Sequence, residues 1–404
     1  MSWFRYMDNE IRLHRELPYS VEHAWTLLTE PTEMNKWSIM TVVAVEPGAD
    51  ERMDRPGALR AVVAGGPFRM KYREVVQHVD QPSYFEYQVY DGGALLRSHI
   101  GTIELMSGPC GGCRLTWTVR VEFINPVLSW LVRARLRKKL ETSLDRAARG
   151  GIPISASLPS AAPTVRIMEG SLEPLRRVAE EALAEQRDLA ARLTAANDPK
   201  QWFARLYAMG SEGILDYVDT GKIRHPDWVL RVIPNYHMHY IRHFHDYLAD
   251  RPVEPAWHKA WSQCEKVDNV HPVRPIVSGL LFGIAAHLEV DLPPTLASVY
   301  LRNYRGTYDY REFLPDYLRL STVFQRTSDR LIAEMPKSFK PWWLRASSHI
   351  APELRQTLLA HRSYNVASAR LESFRRGYAL ALKCMSEDVN PAPTVDSARV
   401  HQGD

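Results

Sequence analysis

Along residues 11–17 apolar and polar side chains alternate, with Ile11, Leu13 and Leu17 set against Arg12, His14 and Glu16. That period of two predicts a strand with one buried face. Ser20 then stands at a helix N-cap position before Val21, Trp25 and Leu28, which share one face at helical spacing. A short second helix is expected over residues 32–37. Further β-rich runs cover residues 39–46, 58–64, 68–79, 84–90, 95–106 and 114–123, divided by turn residues such as Pro47-Gly48 and Asp91-Gly92-Gly93. Long strands joined by short loops predict an antiparallel meander. After Pro126 the period changes. Leu128, Val132, Leu136, Leu140 and Leu144 recur every fourth residue, the stripe of a long amphipathic helix. A curved sheet wrapped on such a helix leaves a cavity between them.

Residues 150–170 begin with small, uncharged and proline-containing sequence and read as a linker. Beyond it the pattern is helical, with no convincing strand after residue 170. Pro226, Pro255 and Pro275 mark helix starts. Asp309 and Glu312 have capping-box spacing before a helix expected over residues 313–335, and a last helix is expected over 353–384. The expected architecture is an α+β domain over residues 1–149 followed by an all-α helical bundle over 171–388. Residues 389–404 are polar and are expected to be a disordered tail.

Composition narrows the class. With 404 residues the chain exceeds one ordinary core and suits two. The 51 basic and 47 acidic residues are too evenly matched to argue for nucleic acid. The first ten residues carry charges where a secretory leader needs an apolar core, and the most apolar run, near 276–288, is shorter than a membrane span. Four cysteines make no disulfide framework, so a reducing cytoplasm is the expected location.

Several phrases carry a resemblance. They are Val21-Glu22-His23-Ala24-Trp25, Met34-Asn35-Lys36-Trp37-Ser38, Phe85-Glu86-Tyr87 and Gly112-Cys113-Arg114-Leu115-Thr116-Trp117. In this order and spacing, residues 8–148 resemble the START-like polyketide cyclase and lipid-transport (SRPBCC) superfamily. The resemblance implies a helix-grip fold with a deep apolar pocket that takes lipids, hormones or polyketides. It implies no universal catalytic residue. Residues 198–385 resemble an uncharacterised bacterial all-helical family through Gly283-Ile284-Ala285-Ala286-His287-Leu288-Glu289-Val290-Asp291-Leu292 and the Trp257 segment. Where that family suggests Asn-Ala-His-Ile-Asn, this chain has Ala-Ala-His-Leu-Glu.

The candidate chemistry is polar residues within strands that face the expected cavity. Glu74 with Arg60 or Arg97 is assigned the catalytic role, because a buried pair orients a polar ligand end and an acid of raised pKa serves as a general acid. Trp25, Met34, Trp37, Tyr72, Tyr87, Trp117 and Trp130 are assigned to ligand binding. Cys110-Gly111-Gly112-Cys113 has metal-knuckle spacing without a second pair, and reads as a turn. In the histidine-rich segment 236–246, helical geometry turns His237 inward with Ile233, Ile241, Phe244 and Leu248, and leaves His239, His243 and Asp246 solvated. His287 and Asp291 lie one turn apart.

The leading expectation is a tailoring enzyme of specialised metabolism. It binds a small hydrophobic, polyketide- or acyl-type compound and acts as a cyclase or dehydratase without a cofactor. One alternative is a metal-dependent enzyme whose divalent ion is held by His237, His287 and Asp291. The other is a non-catalytic lipid or metabolite carrier or sensor. No nucleic-acid partner and no transmembrane segment are expected.

Overall fold

The computed structural model of the protein describes residues 10–64, 70–93, 96–108, 111–123, 126–153, 171–267, 273–340 and 366–389. The expected linker and tail lie almost wholly outside these residues, as does Cys110.

The N-terminal half is a seven-stranded antiparallel sheet with helices on one face. Its elements are β1 (Glu10–Leu17), α1 (Val21–Thr29), α2 (Pro31–Met34), β2 (Met40–Glu46), β3 (Leu59–Ala64), β4 (Met70–Asp80), β5 (Tyr84–Asp91), β6 (Leu96–Ser107), β7 (Cys113–Phe123) and α3 (Pro126–Ala148). The sheet order is β1-β7-β6-β5-β4-β3-β2, so the meander is closed by β1 returning to pair with the last strand. This is a helix-grip fold. Ser20 caps α1 as its position predicts, its Oγ accepting from the His23 N–H at 3.2 Å.

Alternation assigns each strand residue to a face. Ile11, Leu13, Val62, Val76, Phe85, Ile103, Leu115 and Val119 point inward and form one core with Trp25, Leu28 and Trp37. Leu140, Leu144 and Ala147 of α3 close that core. Packing of this kind contributes on the order of 2 kcal/mol for each large apolar side chain removed from water.

The C-terminal half is helical: α4 (Glu173–Ala195), α5 (Gln201–Val218), α6 (Pro226–Leu248), α7 (Pro255–Cys264), α8 (Val273–Ala286), α9 (Leu292–Asn303), α10 (Leu314–Arg319), α11 (Ser321–Glu334) and α12 (Val366–Val389). Among the described residues it contains no strand. The helix expected over 313–335 is broken. Asp309 and Glu312 do form a capping box, but it opens a short 3-10 turn that leads into α10 and α11. Between α8 and α9, residues His287–Asp291 form a π turn. Pro293 and Pro294 have no N–H to give the carbonyls of Glu289 and Val290, so a regular α-helix cannot continue through this point. The run Val273–Asn303 is long and apolar enough, by length and composition, to cross a membrane. Here its Leu288, Leu292 and Leu296 are packed into the helical core.

The two halves are packed together. Leu59 and Val75, on the outer face of β3 and β4, belong to the same core as Trp228, Leu296, Phe313 and Leu314. Arg319 of α10 donates to Gln77 at 2.6 and 3.1 Å and pairs with Glu86 at 3.1 Å. Arg311 pairs with Glu51 at 2.7 Å, and Arg375 pairs with Glu46. Gly57 has φ +87°, and a Cβ there would sit 2.2 Å from the Arg311 carbonyl oxygen. We therefore expect Gly57→Ala to destabilise the protein by at least about 1 kcal/mol, read as a lower thermal midpoint. An unchanged midpoint would mean that the halves do not dock through this contact.

Candidate functional site

Register places the polar residues of the N-terminal half. Arg60 of β3 lies directly opposite Glu74 of β4, and both point into the sheet's inner face. Their side chains meet at 2.6 Å, Arg60 Nη2 to Glu74 Oε1, and both are almost fully buried. Arg60 Nη1 also donates to the Thr29 carbonyl at 3.2 Å, beside Met34 Sδ at 3.9 Å. Its guanidinium lies 4.9 Å from the Phe85 ring centre and 5.5 Å from that of Tyr87, close enough for cation–π attraction. Arg60 Nε is buried without a hydrogen-bond partner.

The cluster extends along the sheet. Tyr87 lies opposite Gly101, and its ring covers the space a side chain there would fill. Its hydroxyl accepts from the Trp117 indole N–H at 3.2 Å. Buried His99 faces both Tyr72 and Tyr87, with ring centres 5.7 and 6.0 Å away, and its Nδ1 has no partner. Trp37 meets Trp117 edge to face. Burial pushes the Glu74 carboxyl up while Arg60 pulls it down, and the net direction is upward. Burial also raises the Tyr72 and Tyr87 hydroxyls and lowers the His99 imidazole to about 4. At neutral pH His99 is therefore a neutral hydrogen-bonding group. A guanidinium, an acid of raised pKa, a neutral imidazole and two phenols surrounded by aromatic carbon can anchor the oxygen end of an apolar molecule and exchange a proton with it.

The structure brings together Arg60, Glu74, Tyr72, Tyr87, Trp117, Met34 and Trp37. Trp25 is more remote in role: it is fully buried, and its indole N–H donates to Asp54 at 2.9 Å. Arg97 does not reach Glu74. A register shift between Leu96 and Ser98 turns it outward, where it pairs with Glu122 at 3.5 Å, nearly half exposed. Trp130 is 54% exposed, because the buried stripe of α3 runs through Ser129, Arg133, Leu140 and Leu144. His99 was missed by sequence reasoning. Its parity with Ile103 and Leu105 on β6 was the available signal.

The helical half holds a second polar cluster. Asp291, fully buried on the π turn, accepts from the Trp257 indole N–H at 3.2 Å to both oxygens and lies 3.1 Å from His287 Nδ1. His243 Nε2 approaches it at 3.5 Å. His239, His243 and Asp291 each offer a ligand atom, all within 4.8 Å of one another. The expected set of His237, His287 and Asp291 is thus rearranged. His237 is buried but bonds to Glu185 at 2.9 Å, away from Asp291. The buried arc of α6 is broader than one stripe, because α6 packs against α4, α5, α9 and the π turn. That arc takes in Tyr240 and His243 and leaves Leu248 61% exposed. Burial raises the Asp291 carboxyl to about 7 and lowers the His287 imidazole. Cys113 is buried in β7, its thiol pushed up to about 11.

Residues 179–388, just over half of the chain, match the Family of unknown function (DUF5995). Residues 9–150 match the family of polyketide cyclase / dehydrase and lipid transport. No curated protein matches the chain. Similar solved structures include TTHA0849 from Thermus thermophilus, at 17% identity and TM-score 0.29, covering 35% of this chain and 94% of that one. A START superfamily protein from Mycobacterium smegmatis has 11% identity and TM-score 0.30, with 35% and 97% covered. Ginseng major latex-like protein 151 from Panax ginseng has 12% identity and TM-score 0.29, with 36% and 97% covered.

His99 yields a pH prediction. The unfolded chain protonates this ring near 6.5 and the folded chain near 4. Stability is therefore fully present above pH 6.5 and falls as pH drops towards 4, by up to about 3 kcal/mol. Denaturant titrations across that window should show the slope, and His99→Gln should flatten it. A variant with the wild-type slope would remove His99 as its source.

Proposed function

This chain belongs to DUF5995, a family of unknown function, and we propose that it binds a small hydrophobic molecule with one oxygen-bearing end on the inner face of its N-terminal sheet. The observation that carries the reading is the buried Arg60–Glu74 pair, set in register on β3 and β4 among Trp117, Tyr87, Phe85 and Met34. An isolated ion pair in such surroundings loses several kcal/mol of hydration per charge, and replacing it with apolar residues often stabilises a fold. Arg60 Nε, buried and without a partner, leaves the pair able to take a ligand oxygen. The match of residues 9–150 to a family of cyclases, dehydrases and lipid transporters supports the same ligand class.

We assign the ligand to the polyketide or acyl type. Arg60 fixes its carbonyl or carboxylate oxygen, and the apolar chain lies against the tryptophans. In a dehydratase-like step, Glu74 in its protonated form gives its proton to the departing hydroxyl, which leaves as water, and the resulting carboxylate takes the proton lost from the adjacent carbon as the double bond forms. The surrounding side chains hold the substrate in a reactive conformer.

The test is native mass spectrometry of the protein as purified, followed by displacement of a fluorescent fatty acid. We expect Arg60→Met to weaken an acid-ended acyl chain by at least about 10-fold relative to its alcohol analogue. If the lone buried Glu74 unfolds that variant, the double change Arg60→Met with Glu74→Leu restores folding and keeps the selectivity loss. Glu74→Gln should retain the ligand and lose turnover of it. A folded wild-type protein that takes up no acyl probe would defeat the proposal.

A further inference from the structure

We infer that the helical half contains a binding site for one divalent transition metal ion, held by His239 and His243 of α6 and Asp291 of the π turn. The two histidines are four residues apart on one helix, so their rings project to the same side. The π turn brings a carboxylate to meet them, and the three candidate ligand atoms lie within 4.8 Å of one another. Bonds of about 2.0–2.1 Å need ligand atoms somewhat closer than this, so on binding an ion the half-buried His239 side chain would turn towards Asp291.

The surroundings of Asp291 argue for a cation. The carboxylate is 0% exposed, and the side chains bonded to it are imidazoles and an indole rather than a lysine or arginine. A buried carboxylate without a matching positive charge is costly, and a divalent ion provides that charge. The next layer has the form seen around metal ligands. Trp257 donates to both Asp291 oxygens, and His287 Nδ1 lies 3.1 Å from one of them, so the carboxylate is fixed in orientation. Tyr236 in turn holds this turn of chain, its ring stacked 3.5 Å from His287 and its hydroxyl donating to the His287 carbonyl at 3.0 Å. Tyr240, between the two histidines in sequence, has a buried hydroxyl without a partner.

Two imidazole nitrogens and one carboxylate oxygen select zinc- or ferrous-type ions over magnesium and calcium, which prefer oxygen ligands. Three protein ligands leave further coordination positions for water or a substrate oxygen. This site is separate from Arg60 and Glu74, so either can fail without the other.

The experiment uses the full chain, stripped with chelator, dialysed, and titrated with Zn²⁺ and with Co²⁺ as a spectroscopic substitute. We expect one tightly bound ion per chain by elemental analysis, and visible Co²⁺ bands of a nitrogen–oxygen site. His239→Ala and His243→Ala should each weaken binding by more than about 100-fold, beyond the 10- to 100-fold typical of an orienting neighbour such as His287→Ala. His237→Ala should bind as the wild type does. His239 is only half-buried, so its variant tests the site even if changes at Asp291 prevent folding. A folded wild-type chain that binds no ion, or a His239→Ala chain that binds as tightly as the wild type, overturns the inference.

Discussion

The structure depends on burying both faces of the strands β3–β5. Their inner face joins the core under α1 and α3, and their outer face is covered by the helical half through Leu59, Val75 and the Arg319 contacts to Gln77 and Glu86. A sheet buried on both sides admits polar side chains only where each has a partner. Arg60 and Glu74 satisfy that condition by standing opposite each other in register. A one-residue slip of β3 against β4 would separate them and send Arg60 to the outer face.

The Arg60–Glu74 and Asp291 clusters are set by different means. In the sheet, strand register sets the cluster, so side chains far apart in sequence meet because their strands are neighbours. In the helical half, a break in helix geometry sets it. The paired prolines after residue 292 prevent a regular turn, the chain widens, and Asp291 arrives beside Trp257, His287 and His243. Extra-wide turns of this kind recur at functional positions because they re-aim a side chain at the cost of local hydrogen bonding.

Much of the architecture was legible from one dimension. The meander, the capped first helix, the long α3 and the helical second half follow from local periodicity and turn chemistry. The pairing of Arg60 with Glu74 was legible too, since both lie mid-strand on adjacent strands. Arg97 was misplaced because a register shift at the start of β6 reverses its side, and nothing in the local sequence announces the shift. Trp130 was misplaced because the period of α3 fixes a stripe but not which neighbouring element will cover its edge.

The histidines of α6 mark the boundary most clearly. By itself the sequence determined that His239 and His243 share a face and that His287 and Asp291 lie one turn apart, because helical spacing is a local property. Only the tertiary structure decided that these two pairs face each other while His237 turns to Glu185. How much of a helix surface is buried depends on how many neighbours surround it, and α6 is packed on several sides.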